Sequence, residues 1–313
     1  MGGGGGGDGR AGGRASAASA RLRVAAPSVG LFIWADTWKG SPFALNAFKN
    51  TAATVAFVAV ALATPSSPFQ GSTTSLLYLL LSGFLGITLG DTAWLVALKH
   101  LGARVVLLFD ALKPFCAAAF GHLVLHEPAL PPLAYAGVAV TTAGVAIAAA
   151  KPKGSEDAER PALTPAVAAL AFGAAIANVL LDTYGAVLTK QHGGEFTAFE
   201  VSAIRFGSSA ALLLGGGAAA HATLHDSSWA RMPRMDRASW FRVLCGIALT
   251  TFAASAFSVY AVVRLPLPVY AALTGLAPVF ALPIGRVVHG QPITPRACIG
   301  ALLACGGVVM MAL

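Results

Sequence analysis

The chain has 313 residues, of which 56% are hydrophobic and only 11% charged, with a formal net charge of +8 and a mean hydropathy of +0.72. A soluble domain carries about 25% charged residues, so this composition excludes a water-soluble globular protein. The basic residues sit mostly in short loops between apolar runs, which argues against a nucleic-acid partner and for a lipid bilayer.

Residues 1–22 form a Gly/Ala/Ser/Arg tail expected to be disordered. It has arginines but no acid between Asp8 and Asp36, weakly like an organelle transit peptide. Both a plasma-membrane and an organellar location, plastid included, fit such a tail. Apolar runs follow at 24–38, 43–64, 74–98, 102–125, 132–150, 164–188, 199–220, 239–263, 267–288 and 296–313. At 1.5 Å per residue, runs of roughly 18 to 25 residues cross a hydrocarbon core about 30 Å thick. Backbone amides there must bond within their own segment, so the spans are predicted to be α-helical. Barrel strands would be shorter and would alternate in polarity, and these runs do neither. The expected fold is an all-α integral membrane protein of about ten transmembrane helices. Cys116, Cys245, Cys298 and Cys305 lie inside apolar runs with no CxxC spacing and no His/Cys cluster, so no metal or other cofactor is expected.

Polar linkers interrupt the chain at 151–161 and 221–239, and the first is close to the midpoint. The flanking halves, 24–150 and 162–313, are internally similar. FALNAFKNTAATVAF (43–57) lines up with FEVSAIRFGSSAALL (199–213), placing Lys49 against Arg205. The stretch 107–128 matches the one ending at Pro292, with Pro114 on Pro278 and Glu127 on Gln291, and TAGVAIAA (142–149) meets CGGVVMMA (305–312). WADTW (34–38) resembles LLDTY (180–184), pairing Asp36 with Asp182. Five spans per half reverse the second half in the membrane. Two inverted five-helix repeats are therefore expected, related by a rotation of about 180° about an in-plane axis, with a site near the bilayer midplane.

The run GDTAWLVALKHLGAR, then Pro114, LHEP and GVAVTTAGVAI, with Pro278, HGQP and GALLACGGVV in the second half, resembles the EamA-like ten-helix branch of the drug/metabolite transporter superfamily. The resemblance implies a secondary permease for a small organic solute, working by export, exchange or proton coupling. This chain departs from the pattern at Gln291, where the family usually has Glu, and in a first span about ten residues short.

Ionisable side chains within spans are costly and by default face the bundle interior or a partner. Asp91 is a candidate proton or amine site, or else an interhelical lock, and Trp94 one turn on could stack on a solute. Asp110 and Lys113 are spaced to share a helix face, as an ion pair beside a kink or as solute ligands. Lys49 and Arg205 could bind opposite ends of an anion, or snorkel to the interface. Asp182 is a further candidate, expected near its helix end. Pro114 and Pro278 each free a backbone carbonyl and are candidate helix breaks lining a cavity. Glu127 is expected to cap locally or to make a loop contact. Tyr260, Tyr270 and Asn178 are expected to join helices, and Gly83, Gly86, Gly90, Gly306 and Gly307 to let them approach closely. With Glu200 counted, bases and acids inside the membrane nearly balance, which suits a zwitterion as well as an organic anion.

The expected function is alternating-access transport of a small metabolite, with a proton or counter-solute and the bilayer as partners. The rivals are a non-transporting scaffold or receptor and an intramembrane enzyme; the latter lacks a second GxGD motif or clustered histidines. With ten spans and a cytoplasmic N-terminus, most loop Lys and Arg fall on the outer face, against the positive-inside tendency. The run 24–38 would rise only about 22 Å. An incomplete or tilted first helix, with the tail on the side of the 151–161 and 221–239 loops, resolves both.

Overall fold

The computed structural model describes residues 37–64, 69–149, 163–224, 231–274, 276 and 294–312. The N-terminal tail, nearly all of the 24–38 run, the 151–161 linker, Pro278 and the HGQP motif lie outside the described residues.

Among the described residues the chain forms nine helices. Helix α1 (Pro42–Ala63) starts where Ser41 Oγ accepts from Ala44 N at 3.0 Å, with Pro42 opening the first turn. Helix α2 (Thr73–Leu101) passes through a π-helical middle, Gly83–Asp91. It ends at Gly102, whose φ of 80° is accessible to glycine at little cost and reverses the chain into α3. Helix α3 has two parts, Ala103–Asp110 and Lys113–Leu123, joined by a turn at Ala111 and Leu112. The apolar run 102–125 is thus not one continuous helix: Pro114 has no N–H to continue the ladder, and it opens the second part instead. Helices α4 (Pro132–Ala149), α5 (Pro165–His192), α6 (Ala198–Leu224), α7 (Arg237–Val262), α8 (Leu267–Thr274) and α9 (Pro295–Ala312) follow. Among the described residues six helices are long and apolar enough to cross a membrane, and α4 and α9 are shorter apolar helices. The protein is an integral membrane protein.

The packing follows from a bilayer solvent. Large apolar side chains such as Leu77, Phe257 and Leu302 point outward, while the inside holds many alanines and polar residues such as Asn46, Asn50 and Ser209 beside Phe57, Leu79 and Leu267. There is little hydrophobic gain from burying a leucine away from lipid, so close packing and hydrogen bonds hold such helices together. Gly137 and Gly144 on α4 meet Gly307 and Gly300 on α9, where an added Cβ would lie 2.4–2.6 Å from backbone atoms of the other helix. The rising index on α4 meets a falling one on α9, so the two run antiparallel. Helices α1 and α6 do likewise: Phe43 touches Gly217, and Thr54 touches Gly207. Gly83, Gly86 and Gly90 sit where α2 crosses α5 and α6, as expected, and Gly307 is equally tight. Gly306 has no atom of another described residue within 4 Å of where a Cβ would sit.

The second π segment, Ile247–Ala253 in α7, starts 164 residues after the first, the same separation as between Pro114 and Pro278. π segments loosen the i→i−4 ladder and gather at functional sites. In α2 the backbone there receives side-chain donors: Asn46 Nδ2 to Ile87 O at 3.0 Å, and Asn178 Nδ2 to Gly90 O at 3.1 Å.

Candidate functional site

Two polar clusters lie inside the bundle. The first joins α1, α2 and α6. Lys49 is 4% exposed and is ion-paired with Asp91, and its Nζ also donates to Asn50 Oδ1 at 3.1 Å. Asn50 Nδ2 donates to Asn46 Oδ1 at 3.1 Å and to Ser209 Oγ at 2.8 Å, and Asn46 reaches Thr92 Oγ1 at 2.8 Å. Each buried amide thus finds partners, as a low-dielectric interior requires. Lys49 therefore turns inward to a carboxylate instead of snorkelling to an interface. Asn46 and Asn50 were missed as site residues, although two asparagines four apart in an apolar span are a legible sign of an inward polar face.

The second cluster lines a cavity of about 240 Å³ between α3, α5, α7 and α8. Lys113 Nζ lies 2.8 Å from Asp182 Oδ2 and 2.9 Å from Asp110 Oδ1. The Asp110 contact is a charge contact whose angle leaves Oδ1 without a hydrogen bond. The Asp110–Lys113 pair beside Pro114 thus forms as the spacing suggested, and it gains Asp182 as a third member. Asp182 lies further from the end of its helix than expected. Helix α5 continues to His192, ten residues beyond Asp182 and roughly 15 Å at 1.5 Å per residue. The apolar run had put the helix end four residues too early, because Lys190, Gln191 and His192 read as a loop. Trp94 does not line the cavity; its Nε1 donates to Asp110 Oδ2 at 3.2 Å, so the indole orients a carboxylate from behind. From the other side Ser258 Oγ and Tyr270 OH are hydrogen-bonded at 2.6 Å, and Thr274 completes the lining.

Arg205 on α6 stands beside both clusters. Its Nη2 lies 3.3 Å from where a Cβ on Gly86 would sit, a point 3.8 Å from Asp182 Cα. Its Nε is buried without a partner. Pro114 is buried at the start of the second part of α3 and faces inward; Pro278 lies outside the described residues.

Other sequence candidates leave the site. Glu200 closes a capping box at the start of α6: its Oε2 accepts from Thr197 N at 2.7 Å while Glu200 N donates to Thr197 Oγ1 at 3.3 Å. It also accepts from Phe69 N at 2.5 Å. Glu200 therefore drops out of the intramembrane charge count. Lys49, Lys113 and Arg205 then face Asp91, Asp110 and Asp182, three against three. Glu127 caps a helix, but not locally: the helix is α8, through Leu267 N at 3.0 Å. It also pairs with Lys190 at 3.2 Å, and Lys190 Nζ donates to Val262 O and Leu265 O at the α7–α8 turn. Asn178 and Tyr270 join helices as expected; Tyr260 is exposed, with the Arg264 guanidinium 3.7 Å from its ring centre. Among the described residues no group of three or more His, Cys, Asp or Glu could hold a metal ion.

A helical membrane bundle that sets six balanced charges and a solute-sized cavity inside itself is built like a permease. The sequence profile of the EamA-like transporter family matches residues 29–150 and again 168–313. The chain belongs to the EamA-like transporter family. A solved crystal structure, titled only as that of a protein, has the same fold, with a TM-score of 0.67 at 18% identity over 94% of this chain and 96% of its own. No curated protein sequence matches the chain. Family membership places this EamA-like protein among membrane transporters, with a small-molecule solute and the lipid bilayer as its partners.

Proposed function

We propose that this EamA-like protein is a secondary carrier that moves a small organic solute by alternating access between two inverted repeats, 24–150 and 162–313, with the solute held in the cavity of Asp110, Lys113 and Asp182. The observation that carries the reading is the cavity itself. In it, ionised side chains from one helix of each half, Asp110 and Lys113 on α3 and Asp182 on α5, face hydroxyls from α7 and α8 of the second half. Charges in hydrocarbon are expensive unless they serve a pathway or a partner.

Packing supports the inversion. Residues 137 and 144 on α4 correspond to 300 and 307 on α9, and the contacts are 137 with 307 and 144 with 300. Such reciprocal pairing is the mark of a two-fold relation, and because the helices are antiparallel its axis runs across them. The α1 and α6 pair is antiparallel too. Repeat mates also meet across the cavity: Leu107 and Asp110 on α3 correspond to Ala271 and Thr274 on α8, and all four line it. Exchange of the two halves' conformations would then open the same cavity to either side.

The test is access. A cysteine replaces Thr274 in a background with Cys116, Cys245, Cys298 and Cys305 changed to serine, and the protein is reconstituted in oriented liposomes. A membrane-impermeant thiol reagent is expected to reach it from both faces in alternation, with the balance shifted by solute. Labelling from one face alone, under all solutes, would point to a scaffold with a blind cleft.

A further inference from the structure

A groove of about 390 Å³ lies between α1 and α6, one helix from each half, with Met232 of the segment before α7 at one end. It opens outward, since Leu214 and Met232 in its lining are 53% and 42% exposed. The lining is apolar apart from Thr51, whose hydroxyl donates to Ala47 O at 2.8 Å within its own helix. No side chain in the groove therefore asks for a polar occupant. From Phe43 to Thr51 the lining follows α1 for eight residues, about 12 Å.

The corresponding place in the other half is filled. Pro42 and Ala198, which open α1 and α6, lie 156 residues apart, and that offset relates Phe43 to Phe199 and Phe57 to Leu213. Phe252, in the π segment of α7, packs on Phe199 and Phe57 with ring centres 6.3 and 4.7 Å away. The offset of 164 between the π segments puts Thr88 where the second half has Phe252. The smaller residue has no ring to lay between the helices, and the groove stays open on that side alone.

The mouth of the groove is basic and aromatic. Arg231 and Arg234 flank Met232, Lys39 precedes Phe43 by four residues, and all three bases are exposed. A Cβ on Gly40 would lie 3.0 Å from Pro233 Cδ, so these two segments adjoin. Across 37–41 and 231–242, five Lys and Arg stand against one acid, Asp236. Trp38, Phe48 and Trp240 cluster there with ring centres 5.2–6.5 Å apart, and Phe48 also lines the groove. Tryptophans gather where a span meets the lipid–water interface. An apolar trench that runs into the membrane from a basic, interfacial rim matches an amphiphile with an anionic head. Guanidinium groups suit a phosphate bidentately, and bases near the surface are drawn to anionic lipid. A zwitterionic head would bring its own cation to a rim already in excess of bases.

We infer that this groove binds one anionic phospholipid of the surrounding membrane, with an acyl chain seated between α1 and α6 and the phosphate held by Arg231 and Arg234 beside Lys39. The inference is independent of the solute and of the charged cavity.

Native mass spectrometry of the purified full chain, titrated with phosphatidylglycerol or with phosphatidylcholine of the same acyl chains, measures the binding. One phosphatidylglycerol per chain should bind, with phosphatidylcholine weaker by about tenfold or more. Arg231→Gln/Arg234→Gln should weaken phosphatidylglycerol by about 10- to 30-fold and leave phosphatidylcholine unchanged. Ala218→Phe, at an exposed position of the lining, fills the groove and should weaken both lipids. In vesicles of the two lipids in equal parts, photoreactive benzoylphenylalanine in place of Leu214 should attach chiefly to phosphatidylglycerol on irradiation. Equal binding of the two lipids, or phosphatidylglycerol binding untouched by the double Arg variant or by Ala218→Phe, would overturn the assignment. Attachment to residues 24–36 of the same chain, or to a second copy, would overturn it too, by naming another occupant of the groove.

Discussion

Removing the two partners of the Lys49–Asp91 pair one at a time should cost very different amounts. The Lys49 side chain is 5% exposed and the Asp91 side chain 29% exposed. Asp91→Leu strands an ammonium in the interior with only Asn50 Oδ1 left to accept from it. Loss of one partner of a buried pair costs about 3–5 kcal/mol, because the other charge is left uncompensated. Lys49→Met leaves a carboxylate that is already partly exposed and can rehydrate, so its cost should be smaller, about 1–2 kcal/mol. The double variant Lys49→Met/Asp91→Leu removes both charges and should be more stable than Asp91→Leu alone, with a coupling energy of about 2 kcal/mol or more. Unfolding followed by tryptophan fluorescence in a single detergent gives the cycle. Equal costs for the two single variants, or strict additivity in the double, would refute the claim that this pair is a buried charge pair with an exposed and a sealed end.

Three further outcomes are expected. Gly144→Ala drives a methyl to within 2.4 Å of Ala304 N, so it should destabilise by about 1–3 kcal/mol, whereas Gly306→Ala, facing open space, should be neutral or slightly stabilising in the same unfolding assay. Asn178→Leu leaves the buried Gly90 carbonyl without its side-chain donor and should cost about 1–3 kcal/mol, visible also as faster amide exchange around the π segment. Glu127→Gln can still accept from Leu267 N while losing the charge opposite Lys190, so it should be milder than Glu127→Ala, which leaves both unmatched; identical melting temperatures for the two would remove Glu127 as the cap of α8.

The helical membrane fold was legible because hydrocarbon imposes one rule on every span, and the repeat was legible because Lys49/Arg205 and Pro114/Pro278 recur in the same order in both halves. The interior was legible as a set of charges but not as pairs. Asp182 joins Lys113 only because α5 runs on through Lys190 to His192 and brings Asp182 level with the α3 turn, which no apolar run reveals. Lys49 prefers Asp91 to the interface because α1 presents Asn46, Lys49 and Asn50 on one inward face. Glu200 looked intramembrane by position, and only its Thr197 capping partner shows it to be a helix start. Gly83 and Gly307 pack tightly and Gly306 does not, a distinction set by which face of the helix each occupies.

Transport itself is the central claim, and counterflow measures it most directly. Liposomes holding the purified protein are preloaded with a mixed metabolite pool, then diluted into trace labelled solutes from the same pool. At least one label should accumulate transiently inside, and Lys113→Gln, which unlinks Asp110 from Asp182, should abolish the accumulation while the protein remains folded. Accumulation of no label by folded wild-type protein, or undiminished accumulation by Lys113→Gln, would contradict the account.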